Sequence, residues 1–176
     1  MKAVVIYRSK TGYVKKYAEW IAKRLQADIY EESKVTIDKV MNYDTVIYGG
    51  GLYAGGINGV KFITRNLEKL SGKKLVVFAS GATPPRESDI IVVRDKNFTQ
   101  EQLKHIKFYY LRGGFDYSRL KPVDKLLMNF LKMTLKRKKE PTADDRGMLE
   151  AYNKPIDFTR EKNIDELVKY VMPDNK

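Results

Sequence analysis

Two hydroxyl residues, a lysine and a glycine lie together near the N-terminus, in the segment Ser9-Lys10-Thr11-Gly12. The segment follows the apolar run 3–7 and precedes a predicted helix that begins near Tyr13. The N-terminus of a helix carries free backbone N–H groups and the positive end of the helix dipole, and both favour a phosphate. We therefore predict a phosphate-binding loop, in which the hydroxyls add donors, the lysine adds charge and the glycine permits a tight turn. The alternative is that the two hydroxyls only cap the helix.

A glycine-rich run, 49–56, follows a second apolar stretch, 45–48, which is predicted to be a buried strand. Glycines lose much conformational entropy when they become ordered, and a run of so many is therefore expected to have a structural or functional role. We predict a loop that passes flat against a planar ring, with Tyr53 stacked on that ring. The alternative is a flexible turn with a surface tyrosine. A third loop, 80–85, follows the apolar run 75–79 and is predicted to close the far side of the site.

The elements between these loops follow a regular order. Apolar runs at 3–7, 45–48 and 75–79 predict buried strands, and weaker runs at 27–30 and 108–111 predict two more. Helical spacing of apolar residues predicts helices over 14–25, 57–70 and 164–171. Strands that alternate with helices favour a parallel sheet with helices on both faces. Ligands of such sheets bind beyond the carboxyl ends of the strands, so the three loops are expected to converge.

Composition limits the other classes of function. The 176 residues suit one domain, 1–176, and the absence of cysteine together with a single histidine, His105, predicts no metal site. The formal net charge of +12 favours an anionic partner, although no recognition motif for nucleic acid is present. No apolar run is long enough to span a bilayer, and no signal peptide is recognisable, so we expect a cytoplasmic protein.

The loops and their order resemble the flavodoxin-like family. Residues 7–12 resemble its phosphate loop, and 49–55 resemble its isoalloxazine loop. The resemblance implies a doubly wound, five-stranded parallel sheet of order 2-1-3-4-5 that binds FMN non-covalently, with the flavin carrying the chemistry and no catalytic side chain. The cofactor-binding residues that it implies are Ser9, Lys10, Thr11, Gly12, Tyr13, Val14, Gly50, Gly51, Leu52, Tyr53, Ala54, Gly55, Ser80, Gly81, Ala82, Thr83, Arg112 and Gly113. Val14 departs from the family pattern, which has a hydroxyl residue there. The lost hydrogen bond is expected to cost about 1 kcal/mol.

A second departure is the long stretch 113–158, which we interpret as an insert before the last helix. Residues 119–139 contain eight basic residues and one acid, Asp124. The apolar residues Val123, Leu126, Leu127, Phe130 and Leu131 recur there at helical spacing. A basic amphipathic helix is typical of peripheral contact with an anionic membrane or of docking on a partner. The alternative is an ordinary helix packed on the domain with a solvated basic end.

The insert, with the segment Arg112-Gly113-Gly114-Phe115-Asp116-Tyr117, resembles the menaquinone-dependent protoporphyrinogen-oxidase-like branch of the family. That resemblance implies an FMN-dependent oxidoreductase with a quinone or a tetrapyrrole-like substrate. Arg112, Arg119, Lys121 and Lys125 would then meet propionates or acidic lipid head groups. Two alternatives stay open. One is an electron carrier that docks on acidic redox partner proteins, and the other is a non-redox lipid- or nucleic-acid-binding module.

Overall fold

A sheet of parallel strands forms the centre of the computed structural model, which describes residues 2–53 and 55–172. The strands are β1 (Ala3–Arg8), β2 (Asp28–Glu31), β3 (Thr45–Tyr53), β4 (Gly56–Ile57), β5 (Lys74–Gly81), β6 (Ile106–Arg112), β7 (Gly114–Phe115) and β8 (Ile156–Asp157). The main sheet has the order β2-β1-β3-β5-β6, and every neighbouring pair in it is parallel. Because β4 is only a short antiparallel return on the end of β3, the five long strands have the predicted order 2-1-3-4-5. The predicted fold class is therefore confirmed.

Helices connect the strands and cover both faces of the sheet. They are α1 (Tyr13–Leu25), α2 (Ile37–Val40), α3 (Lys61–Thr64), α4 (Glu87–Asn97), α5 (Gln100–Leu103), α6 (Pro122–Arg137), α7 (Ala143–Ala151) and α8 (Asp165–Val171), with short 3-10 turns at Glu32–Lys34 and Glu161–Ile164. Helix α1 buries one apolar stripe, which is the stripe that its sequence spacing predicts. None of the helices among the described residues combines the length and apolarity needed to cross a membrane.

The alternation of side chains along the strands divides the core into two layers. Val4 and Ile6 of β1 belong to a buried cluster on one face of the sheet, and Val5 belongs to the cluster on the other face. The second cluster also contains the buried stripes of α1 and α8. Strands that are covered on both faces have few polar positions, which explains the continuous apolar runs in the sequence.

The predicted helix over 57–70 is wrong in its length. Only α3 is α-helical there, because Ile57 lies in β4 and Gly59 has a left-handed backbone with φ of 77°. Backbone hydrogen bonds between residues three apart form turns along the rest of the segment. Examples are those from the Val60 N–H to the Ile57 carbonyl and from the Asn66 N–H to the Ile63 carbonyl. Ile57, Val60, Ile63 and Leu70 are nevertheless buried and Leu67 is partly buried, since the turns repeat almost every three residues and keep one side of the segment toward the sheet.

The glycine run 49–56 begins inside the sheet, so the prediction that the whole run is a loop is wrong. Strand β3 continues to Tyr53, and Gly49 pairs with Tyr7 of β1 and with Phe78 of β5. A Cβ atom on Gly49 would overlap the ring of Phe78. Gly49 is therefore a glycine because a neighbouring aromatic ring occupies the space of its side chain. Gly51, Leu52, Tyr53 and Gly55 of the same run line a cavity.

The insert is a separate layer on the carboxyl edge of the sheet. Strands β7 and β8 pair at its base, where Phe115 lies opposite Ile156. Helices α6 and α7 lie between them and contact each other, and the Tyr152 hydroxyl donates to the Met128 carbonyl at 2.6 Å. No described residue from 112 to 163 belongs to either core cluster. The insert is thus attached to the sheet without forming part of its core.

Candidate functional site

A cavity of about 310 Å³ lies beyond the carboxyl ends of β1, β3 and β5. All three predicted loops contribute to it. The predicted residues that line it are Ser9, Lys10, Thr11, Tyr13, Val14, Gly51, Leu52, Tyr53, Gly55, Ser80, Gly81, Ala82 and Thr83. The parallel register of the strands brings these loops together, because it places every strand's carboxyl end on the same edge.

Three of the predicted residues lie behind this surface. Gly12 is the N-cap of α1, and Gly50 packs against the returning strand β4. Gly113 donates its N–H to the Gly81 carbonyl at 2.7 Å and so supports the third loop from below. Ala54 lies outside the described residues.

Arg112 also supports the third loop and does not line the cavity. Its Nε donates to the Ala82 carbonyl at 3.3 Å, and its guanidinium lies 3.7 Å from the centre of the Phe158 ring. The side chain is therefore held in place by a hydrogen bond and a cation–π contact. Its position beside Ala82 fixes the backbone that borders the cavity.

The first loop forms a set of unused backbone donors. Gly12 has a left-handed backbone, with φ of 96°, and its N–H donates to the Ser9 hydroxyl oxygen at 3.1 Å. Within the described chain, the N–H groups of Thr11, Tyr13 and Val14 have no hydrogen-bond acceptor. The first turn of α1 also lacks an acidic residue. These N–H groups and the helix dipole make this end of the cavity suitable for a phosphate.

Val14, where the family has a hydroxyl residue, is 4% exposed and belongs to the core cluster that contains α1. Its side chain packs against the sheet, as the stripe of α1 predicts. The missing hydroxyl therefore removes one donor from the phosphate loop without disturbing the backbone that carries the other donors.

Lys10 does not point into open solvent. Its ammonium group lies 2.5 Å from the Asp124 carboxylate of α6 and 4.0 Å from the centre of the Tyr53 ring. The Tyr53 hydroxyl in turn donates to the Asp124 backbone carbonyl at 3.0 Å. The first turn of α6 thereby connects the phosphate loop to the tip of β3, a contact that was not predicted from the sequence.

Two phenols border the cavity. Burial, followed by the nearby carboxylates of Asp116 and Asp157, raises the pKa of Tyr13. Burial, followed by Asp124, raises the pKa of Tyr53. Both phenols therefore remain neutral hydrogen-bond donors at neutral pH.

Sequence reasoning missed the part of the cavity wall that the insert provides. Its apolar side chains are Leu120, Met128, Leu131 and Met148 together with Phe115. Asn58, Val93 and Gly114 complete the lining. The stripe of α6 was visible in the sequence, but helical spacing gives no information about which part of the sheet the helix covers.

Arg119 is a further residue that was not predicted to contact the phosphate loop. Its guanidinium donates to the Thr11 carbonyl at 3.3 Å and pairs with Asp116 at 3.1 Å. A Cβ atom on Gly12 would lie 3.5 Å from the same group. Arg119 thus places a positive charge beside the unused amides of α1.

The cavity has donors and positive charge at one end and an apolar wall at the other, which suits a phosphorylated planar molecule such as FMN. A family model described as a flavodoxin domain matches residues 4–142, which include all three loops and α6. The chain belongs to the flavodoxin domain family. FMN is accordingly the cofactor of this flavodoxin-domain protein, as predicted.

Comparison with curated proteins finds an uncharacterised protein of Methanocaldococcus jannaschii, which is 38% identical to the flavodoxin-domain protein over 87 residues. The aligned part is 48% of this chain and 57% of that relative, so the match spans little more than half of the relative's length.

Solved structures give weaker likenesses. The Trp repressor binding protein of Bacillus subtilis has a TM-score of 0.47 at 18% identity, covering 79% of this chain and 99% of its own. The flavodoxin of Megasphaera elsdenii has a TM-score of 0.45 at 18% identity, covering 62% of this chain and 85% of its own.

Proposed function

We propose that this flavodoxin-domain protein is an FMN-dependent oxidoreductase. The observation that carries the proposal is the two-ended cavity, with unused amides at the start of α1 and an apolar wall contributed by α6. The amides of Thr11, Tyr13 and Val14 would hold the phosphate. Gly51, Leu52 and the third loop would border the ring. When bound, FMN would supply the exchange of electrons, and the protein would supply its position and surroundings.

The substrate is proposed to be a hydrophobic, planar molecule of the tetrapyrrole or quinone class, as the resemblance of the insert implies. The methionine and leucine side chains of the insert support this, because they would cover an apolar ring system beside the flavin. Lys121 is exposed near the start of α6, where a carboxylate of a substrate could approach it. We propose a cytoplasmic protein with peripheral contact at the inner face of a membrane.

Cofactor binding is tested by adding FMN to the purified chain and recording its visible spectrum and fluorescence. We expect flavin bands that stay with the protein through gel filtration. Leu131→Glu places a carboxylate in the cavity wall and is expected to weaken FMN binding by at least about tenfold, or 1.4 kcal/mol. Leu126→Glu, on the exposed side of the same helix, is the matched control and is expected to bind FMN normally. No flavin uptake by the wild type would instead favour a non-redox module.

The oxidoreductase reaction is tested with the FMN-loaded protein, protoporphyrinogen and a quinone analogue. We expect the flavin bands to bleach with the first and to return with the second. Turnover no faster than the uncatalysed background would contradict the enzyme proposal while leaving cofactor binding intact.

The second candidate is an electron carrier that docks on acidic redox partner proteins. The net charge of +12 favours it, because such a surface attracts negatively charged proteins. Stopped-flow reduction of the FMN-loaded protein by an acidic partner should slow steeply as salt rises. Rates that do not depend on salt would count against a carrier of this kind.

A further inference from the structure

The outer side of α6 is an uncovered apolar stripe. Val123 is 79% exposed, Leu126 is 74% exposed and Phe130 is 69% exposed, and Leu127 and Met133 are about half exposed. These positions are three or four residues apart, so they form one face along a helix of 16 residues. Folding of this chain alone therefore leaves a continuous row of large apolar side chains in water.

Basic residues frame this stripe. Lys121 precedes α6, and Lys136, Arg137 and Lys139 lie at its end. All four are exposed, and none of them has a salt bridge to another described residue. The single acid of the helix, Asp124, is turned inward and paired with Lys10. The outer side of α6 is consequently apolar and positive, with no negative group on it.

We propose that this face, formed by Val123, Leu126, Leu127, Phe130 and Met133 with the flanking basic residues, binds the surface of an anionic lipid bilayer, an inference that rests on the peripheral membrane contact in the proposed function. A bilayer accepts a protruding convex helix because lipid tails rearrange around it, and anionic head groups attract the lysines at its edges. A second copy of the chain would instead bring two sets of uncompensated positive charges together. Charge complementarity therefore selects the lipid surface as the occupant.

The opposite side of the same helix has a different role. Met128 and Leu131 line the cavity, and the Met128 carbonyl accepts a hydrogen bond from Tyr152. Helix α6 would thus lie between the lipid surface and the cavity. A membrane-dissolved molecule would reach the cavity with little exposure to water.

Vesicle sedimentation of the full chain tests the proposal. We expect binding to vesicles of phosphatidylcholine with phosphatidylglycerol, at least about tenfold weaker binding to phosphatidylcholine alone, and loss of binding as salt rises. Leu126→Glu with Phe130→Glu should abolish sedimentation. Met41→Glu with Met172→Glu is the matched control, since both methionines are exposed at the opposite, amino edge of the sheet. Sedimentation of the Leu126/Phe130 variant at the wild-type level would overturn the proposal.

The charge contribution is tested with Lys136→Glu and Arg137→Glu in one protein. Lys34→Glu with Lys69→Glu changes the net charge by the same amount on the exposed surface of another region. We expect the first variant to lose vesicle binding and the second to retain most of it. Equal losses would overturn a specific role for α6, because the effect would then come from total charge.

The absence of cysteine permits a local probe. Leu127→Cys labelled with an environment-sensitive dye should show a blue shift and rising fluorescence with anionic vesicles, whereas Met41→Cys should not. A dimer in solution that the Leu126→Glu and Phe130→Glu changes convert to a monomer, without any vesicle binding by the wild type, would assign the face to a second copy and overturn the proposal. FMN binding, which should stay normal in the Leu126 and Phe130 variants, separates this proposal from the proposed function.

Discussion

Lys10 lies in the phosphate loop, yet its charge is already balanced. Asp124 approaches its ammonium group to 2.5 Å, and the Tyr53 ring lies beneath it. A bound phosphate would therefore share Lys10 with a carboxylate that repels the phosphate. We therefore expect the affinity of the loop for FMN to depend on this competition as well as on the loop's own amides.

Substitutions of the two members of the Lys10–Asp124 pair should change FMN binding in opposite directions. Lys10→Gln should weaken FMN binding by about three- to tenfold, or about 0.7–1.4 kcal/mol. Asp124→Asn should strengthen it by a similar factor, because the lysine is released and a negative charge is removed. Titration followed by flavin fluorescence measures both, and riboflavin, which lacks the phosphate, should respond to neither change. Weaker FMN binding by Asp124→Asn would show that the carboxylate holds the loop in its binding shape.

Gly49 is a glycine for reasons of packing. Its missing Cβ leaves room for the ring of Phe78 on the neighbouring strand. Gly49→Ala should lower the free energy of unfolding by about 1–3 kcal/mol, since the ring cannot move far in a close-packed core. Urea unfolding measures the loss. Gly51→Ala is the control on the same strand, because its Cβ would meet Val14 at an ordinary 3.6 Å, and it should change stability little. Equal losses for the two variants would contradict the packing explanation.

The carboxylate of Asp145 connects the end of α6 to the start of α7. Asp145 accepts hydrogen bonds from the Lys138 ammonium group at 2.6 Å and from the Thr142 N–H at 2.7 Å. Lys138, followed by Thr142, lowers the pKa of Asp145 from 3.8 to about 2. A carboxyl whose pKa is lower in the folded state stabilises that state fully above its unfolded pKa. That contribution disappears as the pH falls through the folded-state value.

The stabilisation that Asp145 gives to the insert should accordingly depend on pH. At neutral pH, Asp145→Asn should be less stable than the wild type, and the difference should shrink between about pH 4 and pH 2 as the wild-type carboxyl is protonated. Urea unfolding at a series of pH values, followed by circular dichroism, measures this difference. Asp38→Asn, at an exposed acid on α2, should show no such trend. A difference for Asp145→Asn that is constant down to pH 2 would sink the explanation.

The whole molecule consists of a self-sufficient sheet and an attached layer. Both core clusters are built from the sheet and its covering helices, without any described residue of the insert. The insert instead joins the sheet through the short β7–β8 pair and through contacts with the phosphate loop. We therefore expect the stability of the sheet to be independent of the insert, and the covering of the cofactor to depend on it.

Removal of the insert tests this separation. Because Phe115 and Ile156 are paired, an Asn-Gly turn can replace residues 116–155 as a two-residue hairpin. The shortened chain should still unfold cooperatively in urea. Its FMN binding should be weaker by at least about tenfold, or 1.4 kcal/mol, because the apolar cavity wall is lost. The full chain carrying Met41→Glu with Met172→Glu serves as a fold control. A shortened chain that does not fold would show that the insert contributes to the core after all.

Local patterns in the sequence determined the five strands, the parallel sheet and the position of the predicted phosphate loop, whereas the strand order 2-1-3-4-5 came from the resemblance to the flavodoxin-like family. Period and run length identify strands and helices because a parallel strand must be apolar on both faces and a surface helix on one side only. The start of α1 was readable for the same reason, since the donors of a helix N-terminus depend on its position in the chain. These features predicted a phosphate and a planar ring, and the resemblance of the loops to the flavodoxin-like family implied FMN.

Only the tertiary structure decided what surrounds that loop. The pairing of Lys10 with Asp124, the packing of Gly49 on Phe78 and the apolar wall from α6 join residues far apart in sequence. The spacing of residues shows that α6 has an apolar stripe, but it does not show which residues of the stripe contact the rest of the protein. The stripe is wide enough to face both the cavity and solvent. Packing assigned Met128 and Leu131 to the cavity and left Leu126 and Phe130 in solvent, because a rigid helix can turn only one side toward the sheet.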